Sequence, residues 1–322
     1  MPRHLGSYRV VKRLGDGGLG DVHRAVDDTH HRDVVIKTLD ASRGMSPADR
    51  DRLLADAFIA AGVSHPAIAR LYDITDVDGR TALVFEAVDG ETLDGRLARG
   101  PMLAADALRI VTALVDGLAQ AHASGLAHLD LKPANIRLDD ELRPKILDFG
   151  LASWTRGGAV REAAAANPGA RARQWAGTIE YLSPEQALGE RGDHRSDLWS
   201  VGVIFFELLT RRRPFRGETS MDVLVSILRA QVPRVTEVWP ALPAAYGDVV
   251  ARCVSRALDT RYQSADDLLA DLQRLRGLPV PLDFAPSPMR VRIPQAIYRR
   301  GLIAGLTLTG LALAVGWWVV TR

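Results

Sequence analysis

His128-Leu129-Asp130-Leu131-Lys132-Pro133-Ala134-Asn135-Ile136, with Asp148-Phe149-Gly150 beyond it, is the stretch on which the reading of the fold turns. Any one of its acidic residues, taken singly, reads as a solvated loop charge. The order and spacing are harder to explain by packing: a carboxylate at Asp130, a lysine two residues on, an amide three further at Asn135, then Asp148 thirteen residues later, just before a Phe-Gly pair.

Upstream lies Gly15-Asp16-Gly17-Gly18-Leu19-Gly20-Asp21-Val22, between two β-rich runs. Glycines at this spacing also serve a tight hairpin that binds nothing, because positive φ costs glycine little. A dinucleotide-binding unit would need a helix directly after the glycines, whereas Asp21–Ala25 reads as a strand. That context favours a hairpin flap whose backbone N–H groups cover phosphates, with Val22 against a base. Lys37 stands seventeen residues after Gly20, ending Val34-Val35-Ile36-Lys37, a strand beside the flap where a polyphosphate needs a cation.

Around these motifs the residues change character. From Tyr8 to Glu86 short β-rich runs (Tyr8–Leu14, Asp21–Ala25, Val34–Thr38, Ala69–Ile74, Thr81–Glu86) are broken by Gly and Asp turns. A single helix interrupts them over about Pro47 to Gly62, with Ser46 as N-cap and Pro47 at its first position. After Asp89-Gly90 apolar residues recur at three- and four-residue spacing in Ala104–Ser124, Ser196–Leu209, Met221–Ala230, Tyr246–Arg256 and Ser264–Arg276. A small β lobe thus precedes a larger α lobe.

At this point the chain resembles the eukaryotic-type (Hanks-type) protein kinases, and the bacterial Ser/Thr kinases among them, over about Tyr8 to Leu275. The resemblance implies an α+β, two-lobed protein-kinase-like fold with a β-rich N-lobe over about 8–88 and a helical C-lobe over about 89–277. It implies ATP with Mg2+, or Mn2+ in its place, as cofactors, and protein Ser and Thr hydroxyls as acceptors. Asp130 would orient the acceptor hydroxyl and take its proton, Lys132 would steady the transferring group, and Asn135 and Asp148 would hold metal. Leu14, the flap from Gly15 to Gly20, Val22, Val35 and Lys37 would contact the nucleotide. Phe85 falls at the gatekeeper position, and the backbone of Glu86 and Val88 at the base-binding hinge; a buried edge strand accounts for that segment equally well.

Further carry-overs concern support and substrate docking. Gly177-Thr178 and Ser183-Pro184-Glu185 match the end of the family's activation segment, with Ser where Ala is usual. Lys132-Pro133 and Thr178 resemble the Ser/Thr-specific form. Asp197 within Asp197-Leu-Trp199-Ser-Val-Gly202 looks like the aspartate that accepts backbone N–H groups under the catalytic loop containing His128, and Arg261 like the arginine that pairs with Glu185. There are two departures. The helix glutamate expected opposite Lys37 aligns with Asp56, one methylene shorter, and the arginine expected after His128 is Leu129. The second removes the cation that would receive a phosphorylated activation segment.

Composition and the two termini limit the remaining classes. The +2 net charge, 41 basic against 39 acidic residues, gives no global field for nucleic acid. One cysteine, Cys253, excludes an internal disulfide framework and a cysteine-based zinc site, and reads as helix packing. Residues 1–7 hold no apolar run of signal type. The segment 156–173 is rich in Ala, Gly and Arg and reads as a solvated loop, whose arginines could alternatively touch anionic lipid or an acidic substrate. Five prolines between 277 and 296 mark a linker over 278–300, basic at Arg290, Arg292, Arg299 and Arg300. Residues 301–320 carry no charge and, as a helix, would reach about 30 Å, the thickness of a bilayer core. The arginine bias predicts a single-pass C-terminal transmembrane helix in the cell inner membrane, with the kinase domain cytoplasmic and only 321–322 outside. Gly301 and Gly305, one turn apart, would allow a homodimer through close helix approach. The family resemblance adds a cognate phosphatase as an expected partner.

Overall fold

The computed structural model describes residues 4–17, 20–40, 47–77, 79–151 and 179–280. The expected span 301–320, nearly all of the linker and the loop 156–173 lie outside the described residues, and no helix among those described is long and apolar enough to cross a membrane.

Strands β1 (His4–Leu5), β2 (Tyr8–Gly17), β3 (Gly20–Asp27) and β4 (Arg32–Thr38) are followed by helix α1 (Pro47–Gly62) and by β5 (Leu71–Val77) and β6 (Arg80–Glu86). The strands form one antiparallel sheet in the order β1-β2-β3-β4-β6-β5. Alternation along β4 decides which face does what: Val34 and Ile36 are fully buried, while Val35 and Lys37 point the other way. The first face joins Leu5, Tyr8, Ala25, Ala82 and Val84 in a small apolar cluster. Val35 and Lys37, with their registered neighbours Arg24 and Val22, are left for the cleft. Gly20 starts β3 where a Cβ would lie 2.1 Å from the Thr38 carbonyl oxygen, so the hairpin closes this tightly only with glycine.

The helical lobe begins after β7 (Glu91–Thr92) with α2 (Leu93–Arg99), capped by the Thr92 side chain, and α3 (Ala104–Ala123). Two short strands, β8 (Ile136–Leu138) and β9 (Pro144–Ile146), pair with β7 in a three-stranded sheet that carries the loop residues from His128 to Gly150. Helices α4 (Pro184–Ala187), α5 (His194–Thr210), α6 (Ser220–Arg229), α7 (Val235–Val238), α8 (Ala244–Cys253) and α9 (Ala265–Leu275) complete it. Every residue of α5 from Ser196 to Thr210 is buried, and its polar members, Ser196, Asp197, Ser200, Glu207 and Thr210, are each hydrogen-bonded within the lobe. Trp199 of α5 stacks on Phe215 at 5.3 Å. The main core runs from α1 and the inner face of the sheet (Leu71, Leu83, Phe85) down through α3 and α5 to α9, so one apolar mass carries both walls of the cleft. Cys253 packs in it, its thiol pushed up by burial.

Candidate active site

The catalytic loop is suspended from a carboxylate. Asp197, wholly buried on α5, accepts the His128 N–H at 2.8 Å on Oδ2 and the Leu129 N–H at 2.6 Å on Oδ1, and His122 Nε2 also lies 2.8 Å from Oδ2. Burial alone would raise its pKa; the His122 contact and the backbone donors outweigh that and hold the carboxyl below the ordinary value. Leu129 takes φ +60, a conformation costly for its side chain, and its carbonyl accepts from Gln186 Nε2 at 2.8 Å. His128 contacts the Leu147 carbonyl through Nε2 at 2.8 Å and meets Phe149 edge to face at 4.8 Å, tying this loop to the Asp148 turn.

At the tip of the loop Lys132 Nζ donates to both oxygens of Asp130, at 3.1 and 2.9 Å. Asn135 Nδ2 donates to the Asp130 carbonyl at 2.9 Å and to its Oδ2 at 3.2 Å, which leaves Asn135 Oδ1 as an acceptor. Asp148 sits at φ +66 and Gly150 at φ +82; a Cβ on Gly150 would come within 3.1 Å of Ala57 Cα on α1. The turn thereby rests against the small lobe's helix.

A cleft opens above. It is lined by Leu14, Val22, Val35 and Lys37 from the strands, by Phe85, Glu86 and Val88 from the connecting segment, and by Asp148 at the inner end. Thus six residues expected around the nucleotide, besides Lys37, share one space. Gly15, Asp16 and Gly17 end β2 and Gly20 opens β3, whereas Gly18 and Leu19 at the flap tip lie outside the described residues. The Glu86 side chain points to Lys145, 2.8 Å away, and its N–H to the Arg70 carbonyl.

The pairing of Lys37 differs from expectation. Its ammonium is bound to Asp148 Oδ1, and no ion pair joins it to Asp56 among the described residues. Asp56 lies on α1, half-buried, with its carbonyl against Gly150. Among the described residues the counter-ion of Lys37 is thus the carboxylate across the cleft.

Below the loop, Glu185 receives a bidentate bond from Arg261, at 2.8 and 3.1 Å, and a third from Ser196 Oγ at 2.7 Å. Burial would raise Glu185, but the Arg261 and Ser196 bonds hold it below its ordinary value. Ser183 and Gln186 form a capping box that starts α4 at Pro184. Gln186 therefore links the Ser183-Pro184-Glu185 turn to Leu129. Nearby, Tyr181 donates to Glu207, and Arg213 bridges Glu207 and Glu180, whose carboxyl is pushed up by burial. Thr178 lies outside the described residues.

Several residues at the site were not foreseen. Arg24, Ala69, Ala87, Arg137 and Leu147 line the cleft, and His122 and Gln186 hold the loop. Period-two alternation would have found Arg24, two residues from Val22, whereas Arg137 lies on a strand of three residues. Ser183-x-x-Gln186 signals a capping box. No local pattern marks His122.

The donor set suits a hard divalent ion that keeps phosphate oxygens in its shell. Asn135 Oδ1 and the Asp148 carboxylate are oxygen ligands, and among the described residues no group of three His, Cys, Asp or Glu could hold an ion unaided. The family model for the protein kinase domain matches residues 8–271. The chain belongs to the protein kinase family. As a protein kinase it implies ATP and a divalent metal, typically Mg2+. It is 36% identical over 293 residues to a probable serine/threonine-protein kinase of Streptomyces coelicolor, covering 87% of this chain and 42% of that one. It is 37% identical to the serine/threonine-protein kinase PknB of Mycolicibacterium smegmatis, covering 85% and 44%, and 31% to PrkC of Bacillus subtilis, covering 84% and 41%. It thus spans less than half the length of these bacterial relatives. The kinase domain of Mycobacterium tuberculosis PknI, 23% identical, shares the fold with a TM-score of 0.64 over 85% of this chain and 97% of that one.

Proposed function

We propose that the chain is an ATP-dependent Ser/Thr protein kinase that phosphorylates cytoplasmic proteins and itself from a membrane surface. The observation that carries the reading is a cleft where Lys37 and Asp148 meet, the Asp148 turn being tied through His128 to the loop on which Lys132 and Asn135 hold Asp130. Asp130 accepts the proton of the acceptor hydroxyl as its oxygen bonds to the γ-phosphorus; the bond from that phosphorus to the bridging oxygen breaks, and ADP leaves. Lys132 follows the charge on the transferring group, and Lys37 takes the remaining phosphates. Asn135 Oδ1 and the Asp148 carboxylate would hold Mg2+, which supplies charge neutralisation when bound. Membrane attachment is supported by the uncharged run 301–320 and the arginines before it.

The test uses the full chain in lipid vesicles with Mg-ATP and a generic acceptor protein. Phosphoserine or phosphothreonine by mass spectrometry is expected, and vesicle flotation of the protein is expected to be lost on deleting 301–320. The Lys37–Asp148 pair, in place of one with Asp56, favours a second reading, a nucleotide-binding membrane scaffold with weak catalysis. Tight Mg-ATP binding without any phosphorylated product would select it.

A further inference from the structure

Three cations line the cleft, and they are not equally neutralised. Lys37 is bound to Asp148 at the inner end. Arg24, on β3, is held between Asp33 at 2.6 Å and Asp89 at 2.9 Å. Arg137 has no carboxylate within ion-pair distance among the described residues; its Nη1 donates to the Gly90 carbonyl at 2.7 Å. Its cross-strand neighbour Lys145 has taken Glu86, and Asp89, beside Gly90, pairs with Arg24. Arg137 also sits in an otherwise apolar stretch of wall, with Ile136 and Leu138 buried on either side of it and with Leu147, Ala69, Val22, Val35 and Val88 as fellow lining residues.

A half-buried guanidinium without a counter-ion, in a cleft lined by valines, is matched by the face of a flat aromatic ring. A planar cation stacks on a ring and keeps its edge donors for a carbonyl, here that of Gly90. Building on the proposed use of ATP, we propose that Arg137 is a specificity-determining residue, its guanidinium packed against one face of the nucleotide base while Val22 and Val35 cover the other. The base is then gripped by a cation–π contact where a neutral floor would offer dispersion alone. A desolvated contact of this kind is worth about 0.5–2 kcal/mol, or about 2- to 30-fold in affinity. Gly90 fits the arrangement: its own backbone packs so tightly that a Cβ would fall 2.0 Å from the Leu138 carbonyl oxygen, which fixes the acceptor that orients the guanidinium.

Arg137→Gln tests this, because glutamine keeps a donor for Gly90 and removes the charge. Kd for ATP with Mg2+ and for adenosine alone are measured by calorimetry on the full chain in detergent, for wild type, Arg137→Gln and Arg137→Lys. The expected result is a loss of about 2- to 30-fold for Arg137→Gln that is equal for ATP and adenosine, with Arg137→Lys in between. Equal binding by wild type and Arg137→Gln would overturn the proposal, as would a loss confined to ATP, which would mean that the charge acts on the phosphates. Failure of the wild type to bind either compound would instead remove the nucleotide reading on which the proposal stands.

Discussion

Asp197 and Asp148 are both carboxylates on which the phosphotransfer site depends, and they are held in opposite ways. Asp197 is sealed in the helical lobe with its oxygens taken by two backbone N–H groups and His122. Asp148, a quarter exposed by its side chain, meets a lysine from the other lobe across a cleft. The same contrast separates the interior of the helical lobe, with its buried Glu185–Arg261 pair, from the cleft lined by Lys37 and Arg137. Charges that build the loop are desolvated and fully bonded, so exchanging partners would cost several kcal/mol. The charges in the cleft are only partly buried, and on the proposed mechanism Lys37 and Asp148 trade each other for phosphate and metal. Rigid support below and replaceable partners above are what a site needs if it must hold one geometry and turn ligands over.

The contrast can be broken most forcefully from below. Asp197→Ala strands the His128 and Leu129 N–H groups, each costing about 1–3 kcal/mol, so the variant should lose about 2–6 kcal/mol by denaturant melting and most of its phosphotransfer. Arg261→Met leaves Glu185 charged and buried and is expected to cost about 3–5 kcal/mol, with a smaller loss when Glu185→Gln is added. Acid should weaken the interior of the helical lobe in the same sense. Glu185 and Asp197 are both depressed below their ordinary values of 4.5 and 3.8, so their contribution is full above those values and is lost as pH falls through the depressed ones. Thermal melts should therefore be flat from about pH 7 to 5 and fall steeply below about pH 4, and a flat profile down to pH 3 would count against the hub. The smallest effect is expected above: Asp56→Glu restores the missing methylene, lets α1 compete for Lys37 and should change initial phosphotransfer rates by a few-fold, upward, with no loss of stability.

Much of this was legible in the chain. Helix α1 occupies the range Pro47–Gly62 read from Ser46 as N-cap and Pro47 at its first position; β2, β3, β4 and β6 contain the expected runs, and β5 runs from Leu71 to Val77 where Ala69–Ile74 was expected. Asp197 could be read as an N–H acceptor through the family resemblance of Asp197-Leu-Trp199-Ser-Val-Gly202, and a buried carboxylate must be satisfied from somewhere. Strands β7 to β9, two or three residues each, are too short to show any period, and α2, α4 and α7 are stabilised by caps and neighbours more than by periodic apolar faces. The Lys37 partner was misjudged because it depends on reach between lobes. Arg137 went unnoticed because an arginine on a short strand looks like any solvated charge until the opposite wall is known.

The most direct test of the central claim is the phosphotransfer rate of the full chain beside Asp130→Asn, with melting curves to show that both are folded. The asparagine keeps the size of the group and its bond from Lys132 is weakened, but it cannot take the hydroxyl proton. A fall of about 10²- to 10⁴-fold with an unchanged fold is predicted. Equal rates for the two proteins would contradict the assignment of Asp130 and, with it, the account of the site.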